Sequence, residues 1–411
     1  TDGAGSGAAV TDVLDVLGGT GNVGLGSGAF GTGLTTGTDN VAIGDSALDA
    51  VTSGGNNVAV GDNSLGANTT ADHNTAVGAN AAFSTTTGEY NTAVGSAALY
   101  TNTTGGQNTA IGYRALVTNA ASNNTAVGEK ALEANTTGTK NQAFGGAAGD
   151  ALTTGGNNIA IGYEALTSDT QGSKTVAVGV GALAVQNFTT ATDVYNVGVG
   201  HDAGVATTTG SANTFIGGLA GKSNTTASDN TAVGRSAFES NTTGASNTAI
   251  GRSSLISNTT GAANTGVGYN SLGANTTANN NTGFGAYTLE DNSTGTANTA
   301  VGAGALKNNT TADNNTAVGL DALMTNTTGD TNVAIGKDSL KLNTTGTNNT
   351  ALGPRSLQAN TTGTNNVAVG DLALGANTTV NNNTAVGTSA LASNTTGSPN
   401  TAVGFEALDA N

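Results

Sequence analysis

The chain has 411 residues, of which 9% are charged, with a net charge of −16, no cysteine, no tryptophan and 64 glycines. That balance disfavours nucleic acid and anionic membrane as partners, which call for basic patches, and it excludes disulfides and thiolate metal sites. No run of about 20 apolar residues spans a bilayer, and no charged n-region with an apolar core opens the chain, so a signal peptide is expected to be absent or already removed.

Residues 1–21 precede a regular repeat. Val10, Val13, Leu14 and Leu17 fall at i, i+3, i+4 and i+7, with Asp12 and Asp15 between them and Gly18-Gly19 after. The spacing predicts a two-turn amphipathic helix lying as a cap, or an inter-subunit contact, on the open face of a first coil. An irregular first coil with Val10 and Val13 in strands is the alternative.

From residue 22 to 411 the chain rewrites one word, Asn-Thr-Ala-Val-Gly. It occurs in 23 versions beginning at Asn22, Asn40, Asn57, Asn74 and onward to Asn400, and from Asn196 every step is 17 residues. A period of this length and regularity predicts a solenoid in which each repeat is one coil. High glycine with few large apolar residues also fits disorder, but a disordered chain has no reason to return a β-branched residue to one phase. The fold class expected is all-β: a parallel β-solenoid, or β-roll, of about 23 coils.

Counting the Asn as position zero, position one alternates between Thr and Val, as in Thr75 and Val58, and position three is Val, Ile, Leu or Phe. Position two is Ala or Gly outside an irregular stretch, and position four is always Gly. Alternation of large and tiny side chains predicts a strand. The reading places the large set inside the coil and the tiny set on a flat outer flank that another sheet can approach.

A variable turn holding Asp45, Asp62, Glu129, Lys130, Arg235, Arg252 and Glu406 follows as an outward rim. Position eight is usually Leu (Leu48, Leu99, Leu306), a second inward anchor, and position eleven begins a polar Asn-Thr-Thr-Gly corner. One coil then reads as two short strands and two turns, and 23 coils at ~4.8 Å would stack to a rod roughly 110 Å long.

Between about 141 and 221 the Leu position becomes Gly149, Gly204 and Gly221. Phe144 and Phe215 enter the strand, as if to refill the lost volume, and extra residues interrupt the coil at Val185–Ala191. Solenoid insertions map to surface loops, often on a binding face, though sequence drift is the commoner cause. The chain ends at Asn411 in mid-coil, where either a longer natural chain or another subunit is expected. With two or three sizeable apolar side chains per coil, one chain is thinly stabilised. Three chains side by side are the expected assembly.

Asn-Thr-Ala-Val-Gly, then a small residue and Leu, then a polar corner, resembles the head repeats of trimeric autotransporter adhesins. It is also similar to repeats of trimeric phage tail fibres that end in an intramolecular chaperone. The resemblance covers residues 22–411. It implies a left-handed parallel β-roll, a homotrimer, and an extracellular, cell-surface or virion-associated fibre that binds host structures. The period of 17 is longer than in those heads, and no heptad stalk, membrane anchor or chaperone domain is present in this sequence.

No catalytic, cofactor-binding or metal-binding residues are assigned. His73 and His201 occupy non-equivalent positions without an acid–nucleophile pattern and read as surface histidines. No Gly-x-x-x-x-Gly-Lys-Ser/Thr loop occurs, and neither does the nonapeptide calcium repeat. Asn68, Asn102, Asn135, Asn224, Asn241, Asn258, Asn275, Asn292, Asn309, Asn326, Asn343, Asn360, Asn377 and Asn394 each begin Asn-x-Ser/Thr. They are candidate N-glycosylation acceptors, or residues whose side chains suit a tight β-helical corner.

The expected function is a non-enzymatic structural and adhesive rod, self-associating and acting on a host-surface or glycan receptor by avidity. A glycan-decorated filament polymerising end to end is the alternative. Ice binding ranks third and is set aside, because the strand Thr is read as inward.

Overall fold

The computed structural model describes residues 20–409; the predicted helix at Val10–Leu17 lies outside them. The chain divides into two compact units, residues 1–198 and 199–411. Among the described residues each is built from β-strands and turns with no helix. Ten three-residue strands of the repeat, Val23–Leu25 to Val176–Val178, lie in the first unit and twelve, Thr214–Ile216 to Thr401–Val403, in the second. Val197–Val199 falls at the division. The fold is the predicted parallel β-solenoid, one coil per repeat.

Strands pair in parallel with equivalent residues in register: Thr75 with Thr92, Ala76 with Ala93, Val77 with Val94 in the first unit, and Thr231 with Thr248, Ala232 with Ala249, Val233 with Ile250 in the second. Thr248 N–H donates to Asn264 O at 2.8 Å in the following coil, and Gly251 N–H to Val233 O at 2.8 Å in the preceding one.

The strand faces the opposite way from the sequence reading. Ala76, Ala93, Ala232 and Ala300 at position two are fully buried, whereas Val77 and Ile250 at position three are 37% and 39% exposed. Position one is half-buried, with Thr75 and Thr231 examples. The period of two was right and its phase was wrong. Position zero sets that phase: Asn57, Asn230 and Asn247 are buried, so alternation carries position two inward and positions one and three outward.

The interior is too narrow for two large walls, and Leu fills it from the other side. Leu48, Leu99, Leu255 and Leu306 are fully buried, the inward anchor the sequence predicted. Gly266 and Gly283 take position two opposite a serine at position seven of the preceding coil. A Cβ on Gly266 would lie 2.6 Å from Ser254 Oγ, and one on Gly283 would lie 2.5 Å from Ser271 Oγ.

The second wall is not the second short strand expected. Positions five to ten run as turns, with positive φ at positions six and eight, as in Ser253 (58°) and Leu255 (51°). Its backbone still pairs between coils: Ser253 N–H donates to Arg235 O at 3.1 Å and Leu255 N–H to Ser271 O at 2.9 Å. Each coil therefore has one strand and one wall of alternating backbone handedness. Position four takes a φ of 131° at both Gly78 and Gly234, and a Cβ on Gly234 would meet the Gly251 carbonyl group at 2.8 Å. This combination explains why every copy ends its strand in glycine.

In the irregular stretch the substitutions divide. Phe215, at position two, is fully buried, and its ring occupies the space beside Gly221, where an added Cβ would lie 2.4 Å from the ring. Phe144, at position three, points outward at 39% exposure and refills nothing. Gly149 is instead packed by Leu152 and Leu132, whose methyl carbons would lie 3.1 and 3.2 Å from an added Cβ.

Candidate interaction surfaces and the buried amide ladders

The outward side chains of the strand make two rows on one face. The position-one row is Thr, Val, Ile or Gln, and the position-three row is Val, Ile, Leu or Phe, with no charged residue at either position in any of the 23 copies. In the second unit the rows include Thr214, Thr231, Thr248, Thr265, Thr282, Thr299 and Thr316 on seven successive coils. Beside them stand Ile250 and Val301 at 39% and 36% exposure. The tiny flank predicted as the contact face is therefore interior, and a charge-free, mostly β-branched face, one row apolar and one largely threonine, stands outside in its place. The signal that could have located it was the missing charge: 38 charged residues (11 basic, 27 acidic) all avoid these two rows.

All fourteen of these corner asparagines are fully buried. In the second unit ten of them form an unbroken amide ladder from Asn224 to Asn377. Asn241 Nδ2 donates to Asn224 Oδ1 at 2.9 Å, Asn258 to Asn241 at 2.9 Å, Asn275 to Asn258 at 2.8 Å, and Asn377 to Asn360 at 2.9 Å. Position zero makes a parallel ladder, in which Asn247 N–H donates to Asn230 Oδ1 at 2.9 Å. The two ladders converge on one carbonyl: Asn247 Nδ2 and Asn258 Nδ2 donate to Gly261 O at 2.9 and 3.0 Å. The amide nitrogen that would carry a glycan is thus committed inside the folded coil, and a sugar there would have to be attached before the coil closes. The corner threonines form a half-buried third ladder, Thr242 Oγ1 to Thr259 O at 3.0 Å and Thr259 Oγ1 to Thr276 O at 3.0 Å.

One member of the asparagine position is an acid. Asp169 is fully buried. Its Oδ1 accepts from Gly172 N–H at 3.1 Å and Phe188 N–H at 3.0 Å, and its Oδ2 accepts from Gln186 Nε2 at 2.7 Å. Gln186 Oε1 accepts in turn from Asn196 Nδ2 at 2.8 Å. Burial raises the Asp169 carboxyl above its ordinary range, against the lowering effect of these donors. The cluster anchors the inserted residues, whose Phe188 is buried and whose Thr192–Asp193 pairs in parallel with Gly172–Ser173. Outside it, Asp193 and then the Tyr195 hydroxyl push the Lys174 ammonium up to about 12, through contacts of 2.6 and 3.0 Å.

His73 is exposed and stacks on Tyr90, ring centroids 5.0 Å apart. His201 Nδ1 lies 3.2 Å from Asp202 Oδ2. Among the described residues no three His, Cys, Asp or Glu side chains gather as a metal set, and no helix is long and apolar enough to cross a membrane. Neither the protein-family models nor the curated proteins contain a match to this chain.

Proposed function

We propose that this protein is a non-enzymatic structural and adhesive subunit of an extracellular fibre or appendage, at a cell surface or on a virion, and that copies associate through the outward strand face. The observation that carries the reading is, within each unit, the charge-free pair of rows at positions one and three. Parallel sheets are ordinarily covered on both faces, and contiguous exposed apolar surface marks a contact site. A second copy of the chain fits, because equivalent rows repeat with equal spacing and side chains can interdigitate along them. Three chains about a common axis would cover every such face, with the charged rim left in solvent.

Light scattering on the intact chain tests the reading. Wild type is expected at three times the chain mass, and I250K with V301K is expected to return it to one chain while the far-ultraviolet spectrum is kept. A single-chain mass for wild type at every concentration would refute self-association.

One observation supports a second reading. The seven successive threonines at 214–316 stand outward, which removes the reason for setting ice binding aside, and make no side-chain hydrogen bond among the described residues. Against it, Phe284 projects from the same row of coils at 55% exposure and breaks the plane. A thermal hysteresis assay separates the two.

A further inference from the structure

On the turn side of the first unit lies a shallow cleft of about 370 Å³. It exists because position six steps from Asn80 to Ala97 to Arg114 on three successive coils, so the short Ala97 leaves a notch between two longer side chains. Tyr100 and Tyr113 line the cleft with Ser96. Phe83 stacks on Tyr100 from the preceding coil, centroids 5.4 Å apart and planes 12° from parallel, which holds that ring in place. Tyr113 is 51% exposed.

The polar groups are few and defined. The Asn80 amide makes no hydrogen bond to the described residues, so its donor and acceptor are both open. Arg114 is held by Glu133, Nη2 to Oε1 at 2.7 Å, with the guanidinium half-exposed. Its Nε is buried and has no hydrogen-bond partner among the described residues, so the half-exposed end of the guanidinium is what faces the cleft.

We infer that this cleft binds one pyranose ring of a saccharide. The inference rests on the adhesive reading only for its biological use, since binding is a property of the single chain. A pyranose has an apolar C–H face and a rim of hydroxyls that both donate and accept. Tyrosine rings offer the matching apolar surface with a polar tip, and an amide beside a guanidinium offers the matching donors and acceptor. Pairing with Glu133 neutralises the cation, so the cleft selects hydroxyls over anions. A concave, aromatic-lined site of this size with few convergent polar groups suits a small ligand. Weak single-site affinity would be multiplied by the number of chains in an assembly.

The test is saturation-transfer NMR on the intact chain with the methyl glycosides of glucose, galactose, mannose, N-acetylglucosamine and N-acetylneuraminic acid. At least one neutral sugar is expected to bind with a dissociation constant of roughly 1 mM. Y113A and N80A are each expected to weaken it at least about tenfold. A97F is expected to abolish binding by filling the notch, at a position where Tyr287 is accommodated elsewhere with φ of 59°. Y163A, which removes an equivalent exposed tyrosine outside the cleft, is expected to bind as wild type. Absence of transfer to every sugar would overturn the proposal, as would unchanged binding by Y113A and A97F with native far-ultraviolet spectra. Light scattering on the same samples keeps this result separate from self-association: a single chain that binds sugar defeats only the assembly, and an assembly that binds none defeats only the cleft.

Discussion

At the scale of single residues the coil is governed by what each backbone position forbids. Leu48, Leu255 and Leu306 all sit at φ of 51°, a conformation that costs a non-glycine residue about 1–3 kcal/mol and is worst for β-branched side chains. The sequence avoids Val and Ile at position eight and uses Leu, Ala, Phe or Gly. Leu306→Val should therefore destabilise the second unit by more than loss of one methylene, by roughly 2–3 kcal/mol when strain is added to the cavity. Leu306→Met, unbranched at Cβ, should lose less than about 1.5 kcal/mol. Urea unfolding of the two variants side by side measures the difference, and equal losses would show that volume alone sets the position. Gly234→Ala adds a Cβ at φ of 131° facing the Gly251 carbonyl at 2.8 Å. Its loss should be larger in size than the ~1 kcal/mol by which an unstrained glycine-to-alanine change stabilises a protein, read in the same experiment.

Asp169 gives a residue-scale prediction with a sign. Its folded pKa is raised, chiefly by burial, so the folded state holds the proton more tightly than the unfolded chain. The stability it contributes is fully present below the ordinary carboxylate range, near pH 4, and is lost as pH rises through the folded value. Amide exchange of Gly172 and Phe188, corrected for intrinsic rate, should show more protection in acid than at neutrality. Asp169→Asn should flatten that trend, and a trend unchanged in the variant would assign it to other groups. The sequence showed only that an acid stood where thirteen other copies carry Asn-Thr-Thr. Burial of the carboxyl depends on the following insertion bringing Gln186 and Phe188 over it, a contact no local pattern encodes.

At the scale of the element, the repeat announced the strand and the parallel stacking but left the strand's phase ambiguous. Thr-Ala-Val obeys period two with either set inside, and judging by size favoured Val. The deciding contact lies between coils: Asn57 N–H and Asn74 N–H each need the amide of the preceding Asn, so position zero must be interior. The second wall was equally hidden, because alternating φ signs leave no hydrophobic period. The ladder that replaces that information is testable. Asn275→Ala removes bonds to Asn258 Oδ1 and Ala278 O and leaves Asn292 Nδ2 without its Asn275 acceptor. Stranding buried amide groups costs about 1–3 kcal/mol each, so a loss of roughly 2–5 kcal/mol is expected by urea unfolding. Asn275→Asp should lose more at neutral pH than in acid, because an ionised carboxylate cannot donate to Asn258 and is buried without a cation. A variant as stable as wild type would remove the ladder from the account of why these corners are asparagine.

At the scale of the whole molecule, each coil bonds to the coil before and the coil after, so each unit's stability is close to a sum of coil terms and nearest-neighbour terms. That decides which deletions the protein tolerates. Excising residues 298–314 removes one full period and places Asn315 directly after Asn281's coil. Every register partner is then replaced by its equivalent: Thr282 meets Thr316, Gly283 meets Ala317, and the Asn292 amide meets Asn326. Excising 298–305 removes half a period, puts the Leu306 wall where a strand belongs, and breaks both amide ladders at once. The full-coil deletion should keep the far-ultraviolet spectrum and lower the denaturation midpoint only slightly, in proportion to one lost coil. The half-coil deletion should split unfolding into separate transitions, because coupling between the coils on either side is severed. If both deletions unfolded alike, the chain would be held by contacts reaching beyond adjacent coils, and neighbour-by-neighbour stacking would fail as the description of this fold.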